Sequence, residues 1–152
     1  AETRRLPDPL LRLAAALFLF WWSRGGERAG EGRGWIERGL AQPGSADPRT
    51  RAFALAVASA LAHRQDDNEQ AAEYAHASAA AWRSVDEPVG VGYAEYLLGI
   101  ARYRQGQLDE AGRCYAAAVT DLRSAGKEAI AAEALVGWAL VDRDLGRLAT
   151  AA

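Results

Sequence analysis

The stretch LGIARYRQGQLDEAGRCYAAA, residues 98–118, joins two helical patterns through the turn Gln105-Gly106-Gln107. Turns of this polar or glycine-containing kind recur around Gly25, Asp66 and Gly146, so that consecutive centres lie 41, 40 and 40 residues apart. A small residue follows three of the four turns at the same distance, as Ala71, Ala111 and Ala151. A fixed period of about 20–50 residues indicates a helical repeat array rather than a single globular core.

The composition excludes several classes of protein. The chain has 152 residues, of which 50% are hydrophobic, so it contains enough apolar material for an ordered fold. Its net charge of −2 gives no indication of the basic surface that nucleic-acid-binding proteins have. The single cysteine, Cys114, allows no internal disulfide, and its place inside a helical pattern favours a buried structural thiol over a nucleophile.

The N-terminal region resembles a targeting segment only in part. Arg4-Arg5 precedes an apolar run of 10 residues from Leu13 to Trp22. That run is shorter than the roughly 20 residues needed to cross a bilayer, and no small-residue cleavage site follows it. We therefore predict no membrane span and a cytoplasmic location. Because the chain starts at Ala1 without an initiator methionine, we expect it to be a fragment of a longer protein.

Helical periodicity and turn residues predict an all-α fold. No stretch alternates with period two over a usable length, so no sheet is expected. Glycine and proline divide the chain into helix pairs. The predicted helices span 10–24, 27–42, 48–64, 68–84, 88–105, 108–125 and 127–145, and the opening of an eighth follows Gly146. The pairs form one domain, 1–152, with repeats at 8–42, 48–85, 88–125 and a truncated 127–152.

Residues 98–118 resemble the tetratricopeptide repeat. The pair Leu98-Gly99, the turn at Gly106, and the residues Ala111, Tyr115 and Ala118 have that motif's spacing. The other repeats match less well, with Ala58-Ser59 and Trp138-Ala139 in the Leu-Gly place and an aromatic moved to Tyr74. The resemblance implies a right-handed α-α superhelix of about three and a half helix pairs. Small residues would let paired helices touch while larger ones fill the gaps.

The length of the repeat indicates which group of tetratricopeptide-like proteins the chain resembles. A repeat of 40 residues exceeds the roughly 34 of the ordinary motif. Long repeats of this kind resemble those of large bacterial signal-transduction ATPases that regulate transcription, including LuxR-type and SARP-type proteins. Residues 12–25 and 31–40 are similar to the start of the repeat region in those proteins. The chain has no Gly-x-x-x-x-Gly-Lys-Ser/Thr loop and no recognisable helix-turn-helix, so ATP or DNA would bind elsewhere in the parent.

No set of residues predicts catalysis, a metal or a cofactor. His63 and His76 are the only histidines, and neither has a further ligand near in sequence. The pairs Asp66-Asp67 and Asp109-Glu110 stand at helix starts, where negative charge complements the helix dipole. No nucleophile motif is present. We predict that the chain is not an enzyme.

The resemblance implies a concave groove lined by the first helix of each pair. Aromatic and arginine side chains, the types enriched at interface hot spots, occupy many of the corresponding positions. The predicted groove residues are Trp22, Phe53, His63, Arg64, Tyr93, Tyr96, Ile100, Tyr103, Arg104 and Arg143. We favour Tyr96, Tyr103 and Arg104 most. The alternative is that half of the aromatic side chains pack against the next repeat.

These expectations describe a binding domain. We expect a protein- or peptide-binding sensor of a bacterial transcriptional regulator, with a peptide, a partner domain or the parent's own ATPase module in the groove. Two other interpretations remain, a free-standing scaffold or adaptor and a small-ligand receptor that uses the groove as a pocket. No nucleic acid and no membrane is expected as a partner, and the exposed terminal repeat makes a homodimer possible.

Overall fold

The structure of the protein, a computed structural model, describes residues 9–23, 26–42 and 47–147. Within these ranges all regular structure is helical, as predicted, and the helices pack in chain order. The segments are α1 (Pro9–Ala16), α2 (Phe18–Ser23), α3 (Gly26–Ala41), α4 (Pro48–Arg64), α5 (Asn68–Arg83), α6 (Pro88–Arg104), α7 (Leu108–Ser124) and α8 (Glu128–Asp144). The predicted further helix after Gly146 lies outside the described residues, except for Arg147.

The first predicted helix is interrupted at Leu17, between α1 and α2. Helical hydrogen bonds nevertheless continue across the break. The Leu17 amide donates to the Leu13 carbonyl at 3.0 Å, and the Trp21 amide donates to the Leu17 carbonyl at 3.1 Å. Together α1 and α2 therefore act as the first helix of the first repeat, and α3 is the second.

The packing gives the array a concave side. Each helix packs on its neighbours in sequence, and the first helices of consecutive repeats also approach one another, as α4 with α6 and α6 with α8. Among the described residues the backbones of the second helices, α3, α5 and α7, make no such approach. Because the first helices are closer together, the array bends toward them, and they line the inner face of an α-α superhelix.

Every helix from α4 onward ends in the same way. The residue at the centre of each turn has a positive φ, at Asp66 (58°), Asp86 (52°), Gly106 (75°), Gly126 (70°) and Gly146 (73°). At the third of these turns the Gly106 amide donates to the Tyr103 carbonyl at 3.0 Å, and the Gln107 amide donates to the Arg102 carbonyl at 2.9 Å. This is the Schellman arrangement, which satisfies the last carbonyl groups of a helix.

The turn residues show that the repeat of 40 consists of two equal units. Positive φ occurs at 66, 86, 106, 126 and 146, which is every twentieth residue. Four of the five helices have 17 residues and α5 has 16. The links between repeats are therefore the same structure as the turns inside them. The sequence predicted only the longer period, because aspartate at 86 does not mark a left-handed position as clearly as glycine does.

Replacing Asp86 by glycine is expected to raise the free energy of unfolding by up to about 1 kcal/mol, because an L-residue pays about 1–2 kcal/mol in the left-handed region and glycine does not. Urea denaturation followed by circular dichroism measures the change. As a control, Gly126→Ala places a side chain in the same conformation and should lower stability by a similar amount. A stabilising Gly126→Ala would contradict the assignment of backbone strain at these turns.

Small residues hold α4 and α5 together. Six of the 17 residues of α4 are buried alanines, so the backbones of the two helices come close. Two buried serines then bridge them reciprocally. Ser59 Oγ on α4 donates to the Ala71 carbonyl at 2.8 Å, and Ser78 Oγ on α5 donates to the Ala52 carbonyl at 2.8 Å. These bonds fix the two helices against sliding, since each hydroxyl has its partner on the opposite helix.

Tyr115 of α7 joins three helices in the second half of the chain. Its side chain is 3% exposed, and its ring lies between Gly99 of α6 and Gly137 of α8. A Cβ atom on Gly99 would lie 2.8 Å from the ring, and one on Gly137 would lie 2.5 Å from it. The ring therefore rests on bare backbone on both sides. Gly99 and Tyr115, two positions of the repeat motif, are thus in direct contact.

Candidate binding groove

An open cavity of about 430 Å³ lies between the N-terminal ends of α4, α6 and α8. These are first helices, so the cavity belongs to the inner face of the array. Its walls are mostly apolar. They consist of Phe53 and Ala56 from α4, Trp82 from α5, Val89, Gly90 and Tyr93 from α6, and Ile130 from α8, with Arg49 and Glu87 as the charged members. Such a mixture of apolar walls and few polar groups is typical of binding sites.

Trp82 and Gly90 form one wall of the cavity through a close contact. A Cβ atom on Gly90 would lie 2.3 Å from Cδ2 of the Trp82 ring. The ring therefore lies against the bare first turn of α6. Pro88 starts that helix, and its fixed φ suits a first turn whose amides need no helical partner. A larger residue at position 90 would clash with this ring and change the shape of the cavity wall.

Phe53 stands at the centre of a longer groove. Its side chain is 46% exposed. A second cavity of about 310 Å³ lies on its other side and is lined by Arg12, Ala15, Arg49, Thr50 and Phe53. The two cavities share Arg49 and Phe53. They therefore form one groove that runs along the N-terminal ends of the first helices, from α1 to α8.

An ion pair crosses this groove between two repeats. Arg49 Nη1 of α4 contacts Glu87 Oε2, in the residue just before α6. Both side chains are partly exposed. Pairs of this kind contribute little to stability, about 0–1 kcal/mol, and leave the guanidinium with further N–H groups to donate.

Two of the predicted groove residues, Phe53 and Tyr93, come together in the cavity. The favoured residues Tyr96 and Tyr103 lie further along α6, and their hydroxyl groups are engaged with α8. Tyr96 donates to Glu133 Oε2 at 3.2 Å, and Tyr103 donates to Asp144 Oδ2 at 2.5 Å. Burial, together with Glu133, raises the pKa of Tyr96 to about 12, so its hydroxyl remains a donor at neutral pH. Ile100 packs partly buried beside the cores of both neighbouring helix pairs.

The remaining predicted residues lie at the opposite end of the first helices. Arg104 Nη1 contacts Asp66 Oδ1 at 3.1 Å, which ties α6 to the preceding turn. Arg64 lies over the Trp22 ring, with Cζ 4.9 Å from the ring centroid, and so links the first two repeats. Arg143 contacts Asp144 at 2.8 Å.

His63 lies at the same end. Burial and then Arg104 lower the pKa of His63, which favours its neutral form. The Nδ1 atom of its ring is buried and has no hydrogen-bond partner within the part of the chain that the structure describes. The predicted groove residues therefore fall into two groups. Phe53 and Tyr93 line the cavity at one end of the first helices, whereas Tyr96, Tyr103 and Arg104 form contacts between repeats.

The sequence did not indicate Arg49, Trp82, Val89, Gly90 or Ile130 as groove residues. Trp82 lies on a second helix, where the family resemblance marks no groove position, and Val89 and Gly90 precede the positions that it marks on α6. The pair Trp82 and Gly90 could have indicated this wall from the sequence. A glycine in the first turn of a helix leaves space beside the backbone, and a tryptophan ring close in sequence can occupy that space. Ile130 lies on a helix far along the chain, so only the folded structure places it here.

No group of three or more histidine, cysteine, aspartate or glutamate residues suited to a metal ion occurs in the described ranges. Burial, and then Glu95, raises the pKa of the Cys114 thiol to about 12, so this thiol stays protonated at neutral pH. Glu95 itself is 9% exposed and pairs with Arg83 of α5. This pair bridges two repeats and lies outside the groove.

Other large apolar side chains are exposed on the first repeat. Leu13 is 58% exposed and Leu19 is 75% exposed. None of the helices described is long and apolar enough to cross a bilayer. Homodimerisation through the terminal repeat and a cytoplasmic location stay predictions.

Comparison of the chain with protein-family models, with curated proteins and with solved structures gives no match.

Proposed function

We propose that the chain is a tetratricopeptide-like interaction domain that binds a peptide or a segment of a partner protein in its groove. The observation that carries this proposal is the apolar cavity of about 430 Å³ that opens beside Phe53, which is 46% exposed. Exposed aromatic surface inside a concavity loses hydration on binding and anchors a partner side chain. The contributions of three consecutive first helices suit an extended ligand that lies across the repeats.

We further propose that this domain is the sensor or interaction region of a bacterial signal-transduction ATPase that regulates transcription. The support is the resemblance of residues 12–25 and 31–40, together with helix–turn units longer than those of ordinary tetratricopeptide repeats. In this proposal a bound peptide, or the parent's own ATPase module, has different affinities for two conformations of the parent and shifts their populations. The alternative is a free-standing scaffold that is not part of a transcriptional regulator.

A small-ligand receptor is the second candidate. The volume of the main cavity lies within the roughly 300–1,000 Å³ of small-molecule sites, which favours this possibility. The cavity is open to the inner face and continues into the second cavity, so an extended ligand fits it better than a compact enclosed one.

Display of a random peptide library on phage tests the peptide-binding proposal. We expect selected peptides to lose at least about tenfold in affinity for Phe53→Ala and Tyr93→Ala, because these rings line the cavity. Phe20→Ala is the matched control, since Phe20 is 40% exposed but does not line either cavity. Isothermal titration calorimetry measures the affinities, and circular dichroism checks that each variant is folded.

The outcomes separate the candidates. Selected peptides that bind Phe53→Ala and Tyr93→Ala as well as the wild type would place the binding site elsewhere. A small-molecule screen that succeeds where the peptide selection fails would favour the receptor. For the regulator, a full-length reading frame with an upstream phosphate-binding loop supports the proposal, and a reading frame barely longer than this chain overturns it.

A further inference from the structure

The two cavities of the groove differ in chemistry. The larger one has ring and aliphatic walls, and its two charged side chains, Arg49 and Glu87, are paired with each other. The smaller one is lined by Arg12, Arg49 and Thr50 beside Phe53 and Ala15, with no carboxylate among its lining residues. The groove thus passes from an apolar compartment to a cationic one, with Phe53 between them.

Arg12 is an exposed arginine that lines the smaller cavity. Among the described residues it forms no ion pair or hydrogen bond. Arg12 interacts electrostatically with Asp47, at the start of α4. Asp47 is committed to capping that helix, since Oδ1 accepts from the amides of Arg49 at 3.1 Å and Thr50 at 3.2 Å. Its other oxygen accepts from the Thr50 hydroxyl.

Arg49 can contribute to the same compartment. One of its terminal nitrogens contacts Glu87, while the side chain remains 57% exposed. A guanidinium carries five N–H donors in a planar fork, so it can hold a second carboxylate beside the first. Arg12 and Arg49 therefore present donors to the smaller cavity from α1 and α4.

We infer that the groove recognises a peptide segment in which a bulky apolar residue lies within a few positions of an aspartate or glutamate. This inference rests on the peptide-binding function proposed above and names its ligand. The apolar side chain enters the cavity between Phe53, Trp82 and Ile130. The carboxylate meets Arg12 and Arg49 on the other side of Phe53. Charge-assisted hydrogen bonds from two arginines give the acidic position its specificity.

The experiment uses a positional-scanning library of heptapeptides that are acetylated at one end and amidated at the other. Blocking both ends ensures that any carboxylate belongs to a side chain. We expect enrichment of Leu, Ile, Phe or Trp together with Asp or Glu. Changing the acidic residue of a selected peptide to its amide should weaken binding to the wild type about tenfold, as expected for loss of a charge-assisted contact.

A double-mutant cycle assigns that effect to the smaller cavity. Binding to Arg12→Gln should already be weak, and the amide change in the peptide should then have little further effect. Arg123→Gln is the matched control, because Arg123 is an exposed arginine of α7 that lines neither cavity. Gly90→Ala gives an independent readout, since the added Cβ would clash with the Trp82 ring in the wall of the larger cavity and should alter the binding of peptides with large anchors most.

The failures are distinguishable. Peptides that require Phe53 but show no acidic preference would overturn this inference and leave the proposed function intact. Selection of no peptide at all would overturn both. Decanoate is tested in parallel as a free amphiphilic carboxylate. Its binding to the wild type, with loss in Arg12→Gln and without any selected peptide, would assign the groove to small ligands instead.

Discussion

Replacing Tyr115 by alanine should lower the free energy of unfolding by about 3–5 kcal/mol, the range for deleting a buried aromatic side chain. The ring is 3% exposed and lies against the backbones of α6 and α8 from its place on α7. Because the ring contacts both glycines, alanine leaves a cavity between three helices. Urea denaturation followed by circular dichroism measures the loss, with native-state hydrogen exchange to locate it.

The exchange experiment tests the role of Tyr115 as a link between repeats. In a repeat array each unit is stabilised mainly by its neighbours, so the damage should be local. Amides of α8 should lose more protection than amides of α4. Tyr115→Phe is the control, because it keeps the ring in both contacts and should cost less than about 1.5 kcal/mol. Equal losses for the alanine and phenylalanine variants would show that the ring contacts do not hold these helices.

Adding a single methyl group at Gly137 or Gly99 should also be strongly unfavourable. The new Cβ atom would lie 2.5 Å from the Tyr115 ring at position 137 and 2.8 Å from it at position 99. Both positions lie against Cε1 and Cζ of a ring that is 3% exposed, so a Cβ atom at either one forces the ring or the helices to shift. We therefore expect a loss of about 1–3 kcal/mol for each variant, as for overpacking of a well-filled core.

Gly34→Ala is the matched control, because among the described residues no atom outside its own stretch of helix backbone lies within 4 Å of the position that its Cβ would occupy. This substitution should instead stabilise by up to about 1 kcal/mol, the difference in helix propensity between alanine and glycine. The opposite signs are the essential result. Tyr115→Leu should relieve the clash, so Gly137→Ala should cost less in that background. Losses that persist unchanged without the ring would place their cause elsewhere.

Much of the fold follows from local residue chemistry. Glycines 106, 126 and 146 end helices through left-handed turns, and their spacing sets the period. The helix boundaries lie close to those predicted because prolines 48 and 88 open α4 and α6 while the turns close them. The pairing of Gly99 with Tyr115 was also predictable, since both residues belong to the best-formed copy of the motif. Gly137 was not, because its contact with Tyr115 joins two repeats and its own copy lacks a recognisable Leu-Gly pair.

The groove was only partly predictable, for a geometric reason. Counting back from each turn identifies positions on the inner side of a first helix, and this counting found Phe53 and Tyr93. It does not show which inner positions are covered by the neighbouring repeat. Tyr96 and Tyr103 satisfy the same count, but α8 supplies acceptors for their hydroxyl groups. Trp82 reaches the cavity from a second helix, which the counting does not consider.

The equal helix–turn units constrain how a chain of this kind can change length. Because the turns at Asp86 and Gly126 are interchangeable with those at Asp66 and Gly106, loss or duplication of one unit leaves every junction locally compatible. Every helix beyond the change would nevertheless exchange sides, and its groove residues would face outward. Duplications that preserve ligand binding must therefore involve an even number of units. The 40-residue period that dominates the sequence is the smallest step that keeps the inner face inside.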